Sequence, residues 1–251
     1  MSEKLADVLL LGKNLYNNNQ DYEQLEKQRE TLAATIIHDL KNPLQAQISG
    51  LELLCKGTFG ILNHSQQEIL NLTLDSAKYM QSMISDILLA FKSENGGLAI
   101  SLVRFNVENF VNEIVKENFS SAREKSLVIN VVSKLTPKHK EILADKRIFR
   151  RIVENLLSNA IIYSNKNTEI KIELNQKTSM FEFNIGTVSP EIPKHIADKI
   201  FDKYVTVGCE KIGIGLGLYF CKLAIEAHKG SIELITGKNY NVFTFKIPTL
   251  T

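Results

Sequence analysis

In IIHDLKNPLQ (residues 36–45) a histidine stands beside an aspartate and four residues before an asparagine. On a helical wheel at about 100° per residue, His38 lies about 120° and Asn42 about 160° from Leu44. The two therefore stack on one exposed face, away from the apolar stripe. A carboxylate next to an imidazole can fix its tautomer and raise the basicity of the other nitrogen, which is what a histidine attacking a phosphoryl group needs. Taken alone, the pattern is better read as an exposed histidine on a polar helix face. Pro43 removes one backbone bond beside this site and is expected to kink the helix there.

Two later clusters carry oxygen and backbone donors of a complementary kind. In RRIVENLLSNAIIYS (residues 150–164) Asn155 and Asn159 share a face at i,i+4, within a helix whose packed side reads Ile148, Ile152, Leu156 and Ile161, and Asp145 is placed to cap its start. Paired amides of this kind suit a hydrated Mg²⁺ and phosphate oxygens. In KIGIGLGLYFCKLAIEAHKGSIEL, Gly213, Gly215 and Gly217 alternate just before an amphipathic helix, where backbone N–H groups can approach an anion closely. The glycine pattern is neither a dinucleotide fingerprint nor a Walker loop, since the third glycine offset and the Gly-Lys-Ser/Thr ending are both missing.

The elements around these clusters divide the chain in two. Ala33, Ile37, Leu40, Leu44, Ile48, Leu51 and Cys55 fall within about 40° of Leu44, a narrow seam for helix–helix packing. KGTFGILNHS breaks that helix near Lys56. A second helix follows from about residue 65 to 91, with Ile69, Leu72, Ser76, Met80, Met83, Ile87 and Phe91 at helical spacing. Two long helices on a short loop make an antiparallel hairpin, which buries its seam by pairing with a second copy in a four-helix bundle. Residues 1–24 read as a helical lead-in, 25–95 as the hairpin, and SENGG as the linker to a second domain over 98–251. That domain carries strand patterns at 99–105, 127–132, 169–174, 180–185, 231–235 and 242–247. Helical runs at 107–125, 146–163, 194–200 and 216–228 lie between them, so the expectation is an α+β sandwich with one mixed sheet covered by helices.

Composition narrows the function classes. Hydrophobic residues make up 44% and charged residues 23%, as in an ordinary globular protein. The formal net charge of +2 and the lack of a basic stripe argue against nucleic acid. Cys55, Cys209 and Cys221 show no CxxC spacing and read as reduced thiols of a cytoplasmic protein. No apolar run suits a signal peptide or a membrane span, so the expectation is a soluble chain with any sensing part elsewhere.

In this order and spacing the clusters resemble the sensor histidine kinase family of two-component systems. HDLKNPL resembles its phosphoacceptor box, RRIVENLLSNAIIYS its asparagine box, KIFDKYV its phenylalanine box and GIGLGL its second glycine box. The resemblance covers residues 25–248. It implies a dimerisation and histidine-phosphotransfer hairpin followed by a Bergerat-type catalytic ATP-binding domain. By the same resemblance, His38 would accept the phosphoryl group, with Asp39 as its orienting acid/base partner. Asn42 would place water or phosphate, including in dephosphorylation of a regulator. Asn155 would bind Mg²⁺ and Asn159 would lie near the phosphates. Tyr163, Thr187, Phe201, Gly213, Gly215 and Gly217 would complete the nucleotide site, with Tyr204 beside the lid. The implied partners are a second copy of the chain and a response regulator receiver domain; the implied cofactors are ATP and Mg²⁺.

Two positions depart from the family pattern. Its first glycine box reads D-x-G-x-G-I-P, whereas aligning Ile192-Pro193 puts Thr187, Ser189 and Glu191 at the Asp and the two Gly. Strand parity agrees, because Phe181, Phe183, Ile185 and Thr187 alternate together. The competing alignment, through Asn184-Ile185-Gly186, needs an insertion. A neutral hydroxyl in place of a carboxylate predicts weaker nucleotide affinity. The family's lysine three residues after Asn159 is Ile162 here, with Lys203 or Lys211 as substitutes for the lost charge. Three functions follow: an ATP-dependent histidine kinase, a degenerate phosphotransfer or scaffold module that uses ATP poorly, and an ATPase of the same superfamily that would activate water through a glutamate such as Glu154.

Overall fold

The computed structural model of the chain describes residue 35 and residues 39–94, 98–207 and 215–249. The chain divides into two compact units, Met1–Asn95 and Gly96–Thr251. The proposed lead-in, His38, Gly213, Cys209, Lys211 and the linker SENGG from residue 95 lie outside the described residues.

The first unit is a helical hairpin of α1 (residues 39–55) and α2 (His64–Glu94). Helical backbone continues through Pro43. Gly57 ends α1 at φ +71°: its N–H donates to Leu54 O and that of Thr58 to Leu53 O, a Schellman pair that occupies the last carbonyls. Asn63 and Gln66 start α2 with a reciprocal capping box: Gln66 N–H donates to Asn63 Oδ1 at 2.9 Å and Asn63 N–H to Gln66 Oε1 at 3.0 Å.

Leu44 and Ile48 of α1 bury against Ala77 of α2, with Leu51, Leu74 and Ile84 packed around them. Glu52–Lys78 and Gln45–Gln81 pairs flank that contact. The seam predicted for α2 is therefore not the one that closes the hairpin. Ile69, Leu72 and Met80 stay 67%, 69% and 47% exposed, and Leu40 of the predicted α1 stripe is also exposed. The helix carries two apolar faces, and periodicity alone does not say which of them meets α1.

The second unit runs β1 (Val103–Asn106), α3 (Val107–Glu117), α4 (Phe119–Glu124), β2 (Val128–Ser133), a 3₁₀ turn (Pro137–His139), β3 (Glu141–Ala144) and α5 (Lys146–Tyr163). It continues with β4 (Glu169–Lys177), β5 (Met180–Thr187), α6 (Lys194–Ala197), α7 (Gly217–Ala227), β6 (Ser231–Gly237) and β7 (Tyr240–Pro248). One five-stranded mixed sheet has the order β2-β4-β5-β7-β6, and β1 pairs β3 in a separate ribbon. The pair β2–β4 is parallel and the others antiparallel.

Three details correct the sequence expectation. The predicted helix 107–125 breaks at Asn118 into α3 and α4. The strand predicted from residue 99 begins at Val103, and its partner β3 had no predicted counterpart. Ile148 is only half-buried, and Phe149 takes the core position of α5. Its ring meets Phe105, Phe110, Phe181 and Phe245 at centroid distances of 5.6, 6.3, 6.1 and 5.8 Å, joining α5 to the sheet and the ribbon.

Candidate functional site

Helices α5 and α7 form an antiparallel pair tied at both ends. At one end Asp145 caps α5, its carboxylate accepting from the N–H groups of Arg147 and Ile148 and from Ser101 N–H at 2.9 Å. Burial pushes this carboxyl up, but the three backbone donors together hold it below the usual carboxylate range. The Asp145 N–H donates to His228 Nε2 at 3.0 Å, just past α7, so the ring's proton sits on Nδ1 and goes to Ala224 O at 2.7 Å.

At the other end Asn155 Nδ2 donates to the carbonyl of Gly217, the first residue of α7, at 3.3 Å. That bond commits the amide nitrogen, so Oδ1 remains the acceptor atom of the amide. Asn159 follows one turn along α5, half-buried, and Tyr163 ends the helix partly exposed. Asn155 and Tyr163 are eight residues apart, about 12 Å along the axis. Just beyond, Asn165 N–H donates to Val188 O at 2.9 Å and so brings the end of α5 to the end of β5, where Thr187 sits.

Strand register explains why Thr187 faces these helices. Leu174, Phe183, Phe245 and Ile232 form one row across the sheet, and Ile172, Ile185, Phe243 and Leu234 the next. The row after that is Ile170, Thr187, Asn241 and Thr236, so the helix-covered face turns polar at this end. Asn241 and Thr236 were not picked out from the sequence; strand parity would have aligned them with Thr187 only once the register was known.

The wall beside this row comes from α6 and the turn after it. Phe201 packs edge-on against Phe243 at 6.2 Å. Tyr204 adopts φ +66° and its N–H donates to Gly215 O at 3.0 Å. Gly215 has φ +72°, and a Cβ there would come within 2.7 Å of Tyr204 C and Val205 O, so only glycine fits. Gly217 is different: a Cβ would meet Asn155 at 3.6 Å, an ordinary contact.

The charges considered for the position of Ile162 fall as follows. Lys203 Nζ lies 5.1 Å from the Tyr219 ring centroid. Lys125 reaches residue 162 from outside α5, its Nζ donating to the Ile162 carbonyl and capping the helix C-terminus. Glu154 pairs with Arg150 at 3.4 Å, and burial pushes its carboxyl above the usual range. Among the described residues no group of three or more His, Cys, Asp or Glu forms a metal cage. A hard cation would instead meet amide and phosphate oxygens, and Asn155 and Asn159 are the amides α5 offers. In the first unit, Asp39 and Asn42 stand exposed on α1.

Comparison with known proteins agrees with both units. Residues 28–96 match the His Kinase A (phospho-acceptor) domain, and residues 144–251 match the histidine kinase-, DNA gyrase B- and HSP90-like ATPase family. The adaptive-response sensory kinase SasA of Crocosphaera subtropica is 28% identical over 97% of the chain, and the sensor protein KdpD of Clostridium acetobutylicum 26% over 96%. The chain spans 66% and 27% of the lengths of these two relatives.

Among solved structures, full-length ShkA in complex with AMPPNP superposes with a TM-score of 0.68 at 20% identity, covering 87% of this chain and 46% of that one. The catalytic domain of the histidine kinase ThkA gives 0.55 at 25% identity, covering 59% of this chain and 96% of that one. No helix among the described residues is long and apolar enough to cross a membrane. Hairpin, sandwich and family matches together make this chain a member of the two-component sensor histidine kinases.

Proposed function

We propose that the chain is an ATP-dependent protein histidine kinase, with 25–95 as its dimerisation and phosphotransfer domain, 1–24 as a helical lead-in and 98–251 as its catalytic domain. It autophosphorylates His38 and passes the phosphoryl group to an aspartate of a response regulator in the cytoplasm. The observation that carries this reading is the Asn155 amide held on Gly217 O, which joins the asparagine cluster to the glycine turn. Asn155 Oδ1 would hold Mg²⁺, Asn159 would face the phosphates, and Thr187, Tyr163 and Phe201 would surround the base. Bound there, Mg²⁺ would supply charge neutralisation for a transfer that otherwise depends on positioning. Asp39 would orient His38, and Asn42 would place water for dephosphorylating the regulator.

The exposed stripe of Ile69, Leu72 and Met80 supports a homodimer, because it leaves an apolar face of α2 to cover. A complex of ThkA with the response regulator protein TrrA is the kind of assembly proposed for this chain. Incubation with Mg-ATP should give an acid-labile, alkali-stable phosphoprotein, and His38→Gln should abolish it; label that survives the substitution sinks the assignment. Thr187 and Ile162 favour a second reading, a phosphotransfer or scaffold module that uses ATP poorly. Calorimetry with Mg²⁺ and a non-hydrolysable ATP analogue separates the two.

A further inference from the structure

Helices α5 and α7 meet in a series of rungs that keep step along both. His228 Nε2 accepts from the Asp145 N–H at 3.0 Å, the Cys221 thiol donates to Ile152 O at 3.9 Å, and Asn155 Nδ2 donates to Gly217 O at 3.3 Å. From the first rung to the second both helices advance seven residues; from the second to the third α7 advances four and α5 three. Antiparallel helices of one pitch hold all three rungs in a single axial register, and a slide of either helix along its axis stretches all three together.

The rungs differ in how firmly they are held. The thiol is a weak donor, and Asn155 is half-buried. Asp145 is 1% exposed, and its carboxylate takes the N–H groups of Ser101, Arg147 and Ile148 while its carbonyl takes that of Phe149 at 2.8 Å, so its own N–H is fixed in place. His228 is 8% exposed, and its other nitrogen donates to Ala224 O at 2.7 Å, which holds the ring against α7. The start of α7 has Leu216 at its N-cap position with no side-chain cap. The firm rung is therefore the one at His228, and the yielding one is at the glycine turn.

We propose that His228 is a positioning residue for the nucleotide site, setting from about 15 Å away the register in which Gly217 meets Asn155. Loss of its bond to Asp145 lets α7 slide, and the Asn155 amide, tied to Gly217 O, follows. The inference rests on the nucleotide site proposed above and names the residue that keeps its asparagine and glycine halves in step.

Variants of the full chain test it, each followed by Mg-ADP titration, by thermal melting and by the side-chain amide resonances of Asn155 in the nucleotide-free protein. His228→Phe keeps a planar ring without nitrogens; it should weaken ADP about tenfold and shift the Asn155 resonances. His228→Gln carries an oxygen at the reach of Nε2 and should bring both back towards the wild type. His228→Asn keeps a donor for Ala224 O but no acceptor for Asp145, and should behave as His228→Phe does; it stands in where the phenylalanine variant does not fold. A His228→Phe chain that melts lower yet binds ADP as the wild type does overturns the inference, because the role is then structural alone. Weaker binding with the Asn155 resonances unmoved overturns it too, as does a glutamine variant no better than phenylalanine. A wild type that does not bind Mg-ADP overturns the nucleotide site and the binding half of this inference, while the Asn155 resonances still decide the register.

Discussion

Two antiparallel helix pairs dominate the molecule, and they solve the same packing problem differently. The pair α1–α2 is joined by a tight loop and closes on Leu44, Ile48 and Ala77, with its other apolar face open. The pair α5–α7 is separated in sequence by β4, β5 and α6 and backed by the sheet, so Phe149, Leu156, Phe220 and Ala224 find partners inside their own unit. The sheet-backed pair can give its helix ends to polar work, with Asp145–His228 at one end and Asn155–Gly217 at the other. The unbacked pair leaves its second face exposed, the face proposed above to meet a second copy. Whether a helix pair is covered within one chain thus follows from whether a sheet stands behind it.

Breaking the open face should have the largest effect. Leu72→Glu removes a large apolar side chain from each copy and adds two charges, which predicts a loss of about 3–6 kcal/mol in dimerisation. Light scattering should then report monomers while the second unit's thermal transition stays in place. Phe149→Ala does the reverse: a cavity at the centre of the aromatic cluster should cost about 3–5 kcal/mol in the second unit and spare dimerisation.

Asp145→Ala should cost about 2–3 kcal/mol, since it removes a helix cap and leaves Ser101 N–H without its acceptor. The Asp145 carboxyl is lowered in the folded state, so its contribution is fully present above the usual carboxylate range and is lost as pH falls through the folded value. Melting curves between about pH 7 and pH 3 should therefore be less acid-sensitive in the variant. Gly57→Ala is the mildest: a Cβ meets nothing closer than 3.6 Å, so the cost is that of a left-handed alanine, about 1 kcal/mol, confined to the hairpin.

The same contrast shows what the sequence could disclose. Features built from neighbours in the chain were legible: the break near Lys56, the Asp145 cap, and the pairing of Asn155 with Asn159 on one face. Features set by partners far along the chain were not. Glu-Ile-Leu-Ala at 141–144 is too short to announce a strand, and it exists because it pairs with Val103–Asn106. The helix predicted over 107–125 could not reveal its break at Asn118, where the chain must turn towards β2. Both faces of α2 are apolar because the helix has two surfaces to cover, so no wheel could choose the one facing α1. Thr187 stood out through the boxes, but Asn241 stayed hidden because register, unlike periodicity, is not written in either strand alone.

The strand order has a consequence for how the chain acquires its structure. β7 is the last strand in sequence yet lies between β5 and β6, with Thr187 of β5 paired to Asn241 across 54 positions. The contacts inside the hairpin are local and can form as soon as both helices have been made. The second unit has to wait for Tyr240–Pro248, and for the slow closure of distant strands, before its central sheet is continuous. During synthesis there is thus an interval in which a nascent chain presents a formed helical hairpin and an unfinished second unit, with the edges of β5 and β6 unpaired.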